Sequence, residues 1–393
     1  MKCVKLMKSY IKTIYSQWNW SILNSLSDWV VEEAIRVQQI PAPTFDEKAR
    51  ADYLAQKFSD LNLTDISIDD VYNVYGRIAG KTSDSGILVL AHTDTVFPAE
   101  TDLTVKREGN TVYGPGLGDN SMGVAGLLGL VKALQDNQYQ PACDIWFVAN
   151  SCEEGLGDLK GAKAAFAKLK DKIDAVINLE GLAYGHIYNA GIAVHRLHIT
   201  ATADGGHSWL HFGRPSAIHG IVQLGAKITA LNVPTQPRTS FNIGMIDGGH
   251  AINAIGTKSS IWLDMRSVSP SALDTLRKKV YGLIEELQDD GLRFEVEVVG
   301  DRPAGSIPDT HVLVQGALLT LAEMGVKGAL EIGSTDGNVP LSHGYPTVTI
   351  GITRGGNAHR LDEFIEVAPV KSGMKQLITL SLATAEYYTN NKS

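Results

Sequence analysis

Gly86-Ile-Leu-Val-Leu-Ala91-His92-Thr93-Asp94 decides how this chain is read. The run 86–91 carries no polar side chain. It reads as a strand buried on both faces, the pattern of a parallel sheet covered by helices. It then ends on an imidazole and a carboxylate. Closing a buried strand with two such groups costs desolvation unless something compensates them, and a divalent metal would.

Working outward, groups of the same chemistry end other apolar segments. Asp119 lies in the turn Gly114-Pro-Gly-Leu-Gly-Asp119, and Glu153-Glu154 follows the apolar run 145–149. Glu180 ends the run 175–179, and His359 sits in Gly355-Gly-Asn-Ala-His359-Arg-Leu-Asp-Glu363. Each has a plainer reading alone. His-x-Asp can be a surface turn, adjacent glutamates a solvated helix face, Asp119 a helix cap and Glu180 a strand terminus. Taken together they mark the crevice beyond the strand C-termini, where open α/β sheets bind ligands.

The set divides into two metal positions. Imidazole nitrogen and carboxylate oxygen bind zinc at about 2.0–2.2 Å, and two ions roughly 3.5–4 Å apart need an anion between them. His92 with Glu180 is expected to hold one ion and Glu154 with His359 the other, with Asp119 bridging. Zinc suits these donors, with cobalt or manganese as alternatives. Asp94 points to the same side of its strand as His92 and is expected to orient that imidazole. Glu153 is expected to be the general base that takes a proton from water and passes it to the leaving nitrogen. Cys152 beside it invites a nucleophile reading, but a small buried hydrophobe is the plainer one.

Ala91-His92-Thr-Asp94-Thr-Val96, Gly116-Leu-Gly-Asp119-Asn-Ser-Met-Gly-Val-Ala125, Glu153-Glu154-Gly155, Asn178-Leu-Glu180-Gly181 and Ala358-His359-Arg-Leu-Asp-Glu363 resemble the M20 metallopeptidases. That family includes glutamate carboxypeptidases, peptidase T, aminoacylases and the acetylornithine and succinyl-diaminopimelate deacylases. The resemblance runs from about residue 40 to the C-terminus in motif order and spacing. It implies a co-catalytic dizinc hydrolase of a peptide or N-acyl amide bond in a small substrate. A carboxypeptidase-like exopeptidase is favoured, with an N-acyl-amino-acid deacylase or aminopeptidase as alternatives. A non-catalytic metal-binding scaffold is the rival from another class, and it is disfavoured because no ligand position is replaced.

The resemblance also implies roles for three further residues. His207, in Gly205-Gly-His207-Ser-Trp209, would donate a hydrogen bond to the reaction's oxyanion. Asn253 and Arg266 would grip a substrate carboxylate, which a planar guanidinium binds through two hydrogen bonds. An ion pair with a neighbouring acid is the plainer reading of Arg266. Two departures make it unsafe to carry over any one member's specificity. Asn120-Ser-Met-Gly123 follows Asp119 where many relatives place a lysine, and Gly256 rather than proline follows Ile255.

Composition bounds the partners. The 393 residues are 44% hydrophobic and 20% charged, ordinary for a soluble globular enzyme. A net charge of −8 argues against nucleic acid or an anionic membrane as the main partner. Three cysteines without Cys-x-x-Cys spacing read as reduced thiols in a cytoplasmic protein. Residues 1–24 read as an N-terminal extension, helical or loose, packed through its aromatics. Lys12 and Gln17 break its apolar positions, so no secretory core forms, and no stretch approaches the ~20 apolar residues of a membrane span.

Strand–helix alternation over 25–190 and again over 302–393 predicts an α/β catalytic domain with a mainly parallel sheet. Between them, 191–301 reads as strand 194–202, helix 216–231, strands 239–246 and 260–266, helix 273–287 and strand 293–299. That βαββαβ order is the ferredoxin-like split motif. The resemblance implies that this insertion serves as a lid and as the surface of a homodimer.

Overall fold

The quoted run becomes the strand Thr82–His92, buried at every position from Ser85 onward. Its neighbours Cys143–Asn150 and Ala175–Leu179 are buried end to end and pair with it in parallel. Strands so enclosed need cover on both faces, and alternate side chains supply it. Ile87, Val89 and Ala91 face a core shared with the helices Leu23–Gln38, Gly123–Asp136 and Val370–Asn390. Leu88 and Leu90 face a second cluster with Ala162, Ala165 and Phe166 of the helix Lys160–Leu169.

The structure is a computed structural model and describes residues 2–391. The chain divides into two units, one built from the residues up to Gly191 and from Gly305 on, the other from Ile192–Ala304. The first unit's large sheet runs Thr64–Ile68, Val74–Ile78, Cys143–Asn150, Thr82–His92, Ala175–Leu179, Thr347–Ile350, His186–Gly191, Gly305–Ser306, with Ala329–Gly333 beside His186–Gly191. Its four central strands, from Cys143–Asn150 to Thr347–Ile350, pair in parallel. Antiparallel pairs stand towards the margins, so the sheet is mainly parallel. Parallel strands deliver their C-termini to one edge. There His92 lies opposite Asn150, and Leu179 opposite Ile350.

The N-terminal segment is helical and packed on the body, but not through its aromatics alone. Lys2–Gln17 is a continuous helix whose Met7, Ile11 and Ile14 are buried in the main core, where it meets the helices Val312–Glu323 and Val370–Asn390. Trp18 is buried too, its ring 5.2 Å from that of Tyr139. The aliphatic stripe, not the aromatics alone, seats the helix. Lys12 and Gln17, which interrupt the apolar positions, simply mark its solvent face.

The second unit is a four-stranded antiparallel sheet in the order Thr239–Gly248, Lys258–Ser267, Ala193–Ala203, Leu292–Arg302. Helices Ala217–Thr229 and Pro270–Leu287 bury Ile221, Leu224, Val280 and Ile284 against Leu197, Ile199 and Ala201. Ser269 accepts the Ala272 N–H and Pro270 opens the second helix, a standard start signal. The unit ends at Ala304 rather than near 301, because its last strand continues until Arg302 pairs with Val194. Among the described residues, no helix is long and apolar enough to cross a membrane.

Membership of the N-terminal helix in the core is testable by urea unfolding. Ile11→Ala is expected to lower stability by about 2–5 kcal/mol, against less than about 0.5 kcal/mol for the exposed Lys12→Ala. Indistinguishable midpoints would show that the segment is no part of the cooperative core.

Candidate active site

Strand pairing carries the chain past His92 into the site. The Thr93 N–H and hydroxyl both donate to the Asn150 carbonyl, at 2.7 and 3.0 Å. The fully buried Arg50 donates to the carbonyls of Thr93 and Ile40. Held this way, His92 places Nδ1 3.2 Å from the main-chain oxygen of Asp94. That bond puts the proton on Nδ1 of the neutral ring and leaves Nε2 as the lone-pair side.

Asp94 thus meets His92 through its main chain. Its nearest carboxylate oxygen stands 3.6 Å from His92 Nδ1, too far for a hydrogen bond. The carboxylate instead accepts the N–H groups of Glu153 and Glu154, both at 2.9 Å, and the Thr44 hydroxyl at 2.8 Å. Asp94 orients the glutamate pair with its side chain and His92 with its main chain.

The turn before Asp119 is shaped by two glycines. Gly116 has φ +70°, and a Cβ on Gly118 would lie 2.4 Å from Leu182. The Asp119–Asn120 peptide bond is cis. Asn120 then clips the next strand end, donating to the Leu179 carbonyl and accepting from the Gly181 N–H, both at 2.8 Å. Glu180 lies between those two anchors.

Asp119 and its neighbours form two triads. Its Oδ1 is 3.1 Å from His92 Nε2, which is 3.6 Å from Glu180 Oε2. Its Oδ2 is 3.1 Å from His359 Nε2, which is 2.9 Å from Glu154 Oε1. A third grouping brings donor atoms of His92, Glu153 and Glu154 within 4.8 Å of one another, so the Glu153 carboxylate lies beside both triads. His92, Asp119, Glu154, Glu180, His359 and Glu153 thus converge in the first unit, with Asp94 behind them.

The electrostatics follow from crowding carboxylates where water is scarce. Burial would lower the His92 imidazole, but the nearby carboxylates of Asp119, Asp94 and Glu180 hold it well above its usual range. Bonds to Asp119 and Glu154 raise His359 to about 10. Burial opposes ionisation of Asp119, yet His359 and His92 keep it below the usual carboxylate range. Burial raises Glu180. Cys152 is buried with its sulfur 3.4 Å from Glu47, and burial pushes its thiol up to about 12, which suits an inert residue.

These donors fit a pair of divalent ions. Two ligands on one tetrahedral ion sit roughly 3.3–3.6 Å apart, close to the separations within each triad. Each triad offers one imidazole nitrogen and carboxylate oxygens, and Asp119 presents a separate oxygen to each. His359 is 53% exposed, which leaves the site open on that side.

The substrate-binding candidates lie in the second unit. His207 and Ala254 are strand partners, and the Asn253 carbonyl accepts the Ser208 N–H at 3.0 Å, so His207 and Asn253 are close. His207 Nδ1 accepts from the Trp209 N–H at 3.2 Å, which leaves the ring proton on Nε2. Arg266 donates through Nε to Asp264 at 2.7 Å, and Arg196 shares the same carboxylate. This is the ion pair named above as its plainer reading.

The sequence reading assigned no role to Asn120, Glu363 or Asp336. Glu363 accepts three main-chain N–H groups from the Asp119 turn. Asp336 takes a 2.7 Å hydrogen bond from Asn150 at the strand end, and burial raises it to about 7. Asn120 and Glu363 stand inside the quoted motifs and Asp336 in Ser334-Thr-Asp336-Gly-Asn338, which resembles a substrate-adjacent loop of the M20 enzymes, but a motif does not say what a side chain reaches.

Two family models match the chain. Peptidase family M28 matches residues 73–196, and the peptidase dimerisation domain M20_dimer matches residues 181–291. Succinyl-diaminopimelate desuccinylase of Corynebacterium glutamicum is 25% identical over 338 residues, 84% of this chain and 89% of that protein. A solved tripeptidase from Staphylococcus aureus shares the fold with a TM-score of 0.76 at 20% identity, covering 92% of this chain and 99% of that one. A Bacillus subtilis structure described as a dinuclear metal-binding peptidase of the M20 family has a TM-score of 0.67 at 14% identity, with coverage of 92% and 99%. Together, the matched models, the curated relative and the shared fold support an M20 family metallopeptidase, a hydrolase acting on peptide or related amide bonds.

Proposed function

We propose that this chain hydrolyses a peptide or N-acyl amide bond of a small substrate at two divalent ions, acting first as a carboxypeptidase-like exopeptidase. The supporting observation is the Asp119 carboxylate, whose two oxygens each lie 3.1 Å from a different histidine. A carboxylate placed only to neutralise one imidazole would not divide its oxygens in this way. His92 and Glu180 are assigned to one ion, Glu154 and His359 to the other, and Asp119 to both. Zinc suits this set, with cobalt or manganese as alternatives. When bound, such ions acidify water and polarise a carbonyl oxygen.

The chain supplies the rest. Glu153 receives the proton of the attacking water and delivers it to the departing nitrogen. Asp94 holds the main-chain N–H groups of both glutamates, which fixes the angle between the base and the ligand next to it. His207, exposed and protonated on Nε2, is assigned as a hydrogen-bond donor to the oxyanion. Asn253 and Arg266 are assigned to the substrate carboxylate. The Arg266–Asp264 ion pair favours a second reading in the same class, a deacylase or aminopeptidase that does not rely on that grip.

Three free cysteines support a reducing, cytoplasmic setting. A homodimer through the second unit is proposed as well. Thr239–Gly248 is an outer strand whose Met245 and Ile246 are 56% and 64% exposed. An apolar edge of this length is a template for pairing with another chain, and the dimerisation-domain match spans it.

One tripeptide offered free, N-acylated and C-amidated separates the readings. Chelator-sensitive cleavage that tolerates acylation but not amidation is expected. Cleavage that tolerates amidation but not acylation would mean an aminopeptidase and remove Arg266 from its role. Glu153→Gln is expected to keep both ions by elemental analysis while turnover falls about 10²–10⁴-fold, and near-normal turnover would displace Glu153. Ile246→Lys is expected to give a monomer in sedimentation velocity where the parent is a dimer. A dimer that survives the substitution would place the interface elsewhere.

A further inference from the structure

Glu363 is fully buried and lies 244 residues beyond Asp119 in sequence. Its carboxylate is gripped by the turn that carries Asp119. Gly116 donates its N–H to Oε2 at 3.1 Å, while Gly118 and Asp119 donate to Oε1 at 2.6 and 2.9 Å. The left-handed Gly116 lets successive amides converge on one anion, as in backbone anion nests. The contact is doubled by the main chain. Gly114 donates to the Glu363 carbonyl at 2.8 Å, and Phe364 pairs with Tyr113.

At the other end of the same segment stands His359. Asn357 and His359 both have left-handed backbones, at φ +59° and +66°, an unfavourable conformation that its surroundings must maintain. The His359 side chain is half exposed, so close packing does not hold it. Before it, Gly356 pairs with Phe364; after it, the buried anchor is Glu363, whose own N–H donates to the Arg360 carbonyl at 3.1 Å. One buried carboxylate thus joins the segment bearing His359 to the turn bearing Asp119.

We propose that Glu363 is a positioning residue that holds the Asp119 turn and the His359 loop in register, and so sets the spacing of the two ion positions. The inference rests on the two-ion reading above. Asp119 must present one oxygen to each triad, and its own amide is bonded to Glu363. A small rotation of that peptide therefore moves both oxygens at once. Glutamine at 363 is nearly isosteric but has a single acceptor oxygen, and its NH2 would face an amide N–H of the turn.

The test is cobalt titration of the full chain, read by visible absorption and calorimetry well below the unfolding temperature. The unsubstituted protein is expected to take up two equivalents. Glu363→Gln is expected to bind cobalt about 10–100-fold more weakly, the usual cost of losing a partner that orients ligands, with an altered visible band. Glu366→Gln, on the neighbouring strand Phe364–Glu366, is expected to match the unsubstituted protein. A purely structural role would lower the melting temperature and leave cobalt affinity and spectrum unchanged. Glu363→Asp keeps the charge but withdraws it by one methylene, and is expected to weaken cobalt binding in the same direction if the glutamine variant does not fold. Parental affinity and spectrum in a folded variant at 363 overturn the inference alone. Fewer than two equivalents in the unsubstituted protein overturn the two-ion reading and this inference with it.

Discussion

Carboxylates gathered at the C-terminal edge of a buried parallel sheet must find compensation inside the protein, because the strands that carry them shut out water. The rest of the first unit is arranged around that constraint. Asp119, Glu154 and Glu180 face the imidazoles of His92 and His359. Asp94, Glu47 and Glu363 face main-chain amides, those of Glu153 and Glu154, of Cys152, and of the turn 116–119 respectively. The two groups differ in kind. An imidazolium can release its proton to solvent and offer the freed lone pair to a cation, whereas a main-chain amide keeps its proton, so carboxylates answered by amides are committed to holding the chain. The partner of each acid separates candidate ligands from supports.

This arrangement places rigidity where an ion pair needs it. Donor groups that must keep a fixed spacing are better mounted on strand ends than on free loops, and outer hydrogen bonds usually decide how well they hold a metal. Three such mounts are visible. Arg50 ties the segment after His92 to Ile40, Asn120 straddles Glu180, and Asp94 aligns the glutamate pair. His359 is the exposed exception and depends on its neighbours downstream.

Much of this was legible before any coordinates. Unbroken apolar runs at 86–91 and 145–149 announce enclosed parallel strands, and period-two alternation from 194 announces the antiparallel unit, because these patterns follow from local geometry. The donor residues were legible because His, Asp and Glu at the ends of such runs have few inexpensive explanations. The N-terminal helix was legible only as an extension, helical or loose, and its docking on the C-terminal helix shows which face is buried. For Asp94, strand periodicity places it beside His92 but cannot show that Glu153, 59 residues away, brings it an N–H.

The sequence by itself determined the order of elements, the two-part α/β and βαββαβ architecture, and which acids and imidazoles are candidates for the site, since residue chemistry and periodicity are properties of neighbours along the chain. Only the tertiary structure decided which amide answers each carboxylate and which oxygen of Asp119 faces which histidine. Those pairings join residues up to 247 positions apart, and a hydrogen bond depends on distance and angle in space, which sequence separation does not encode.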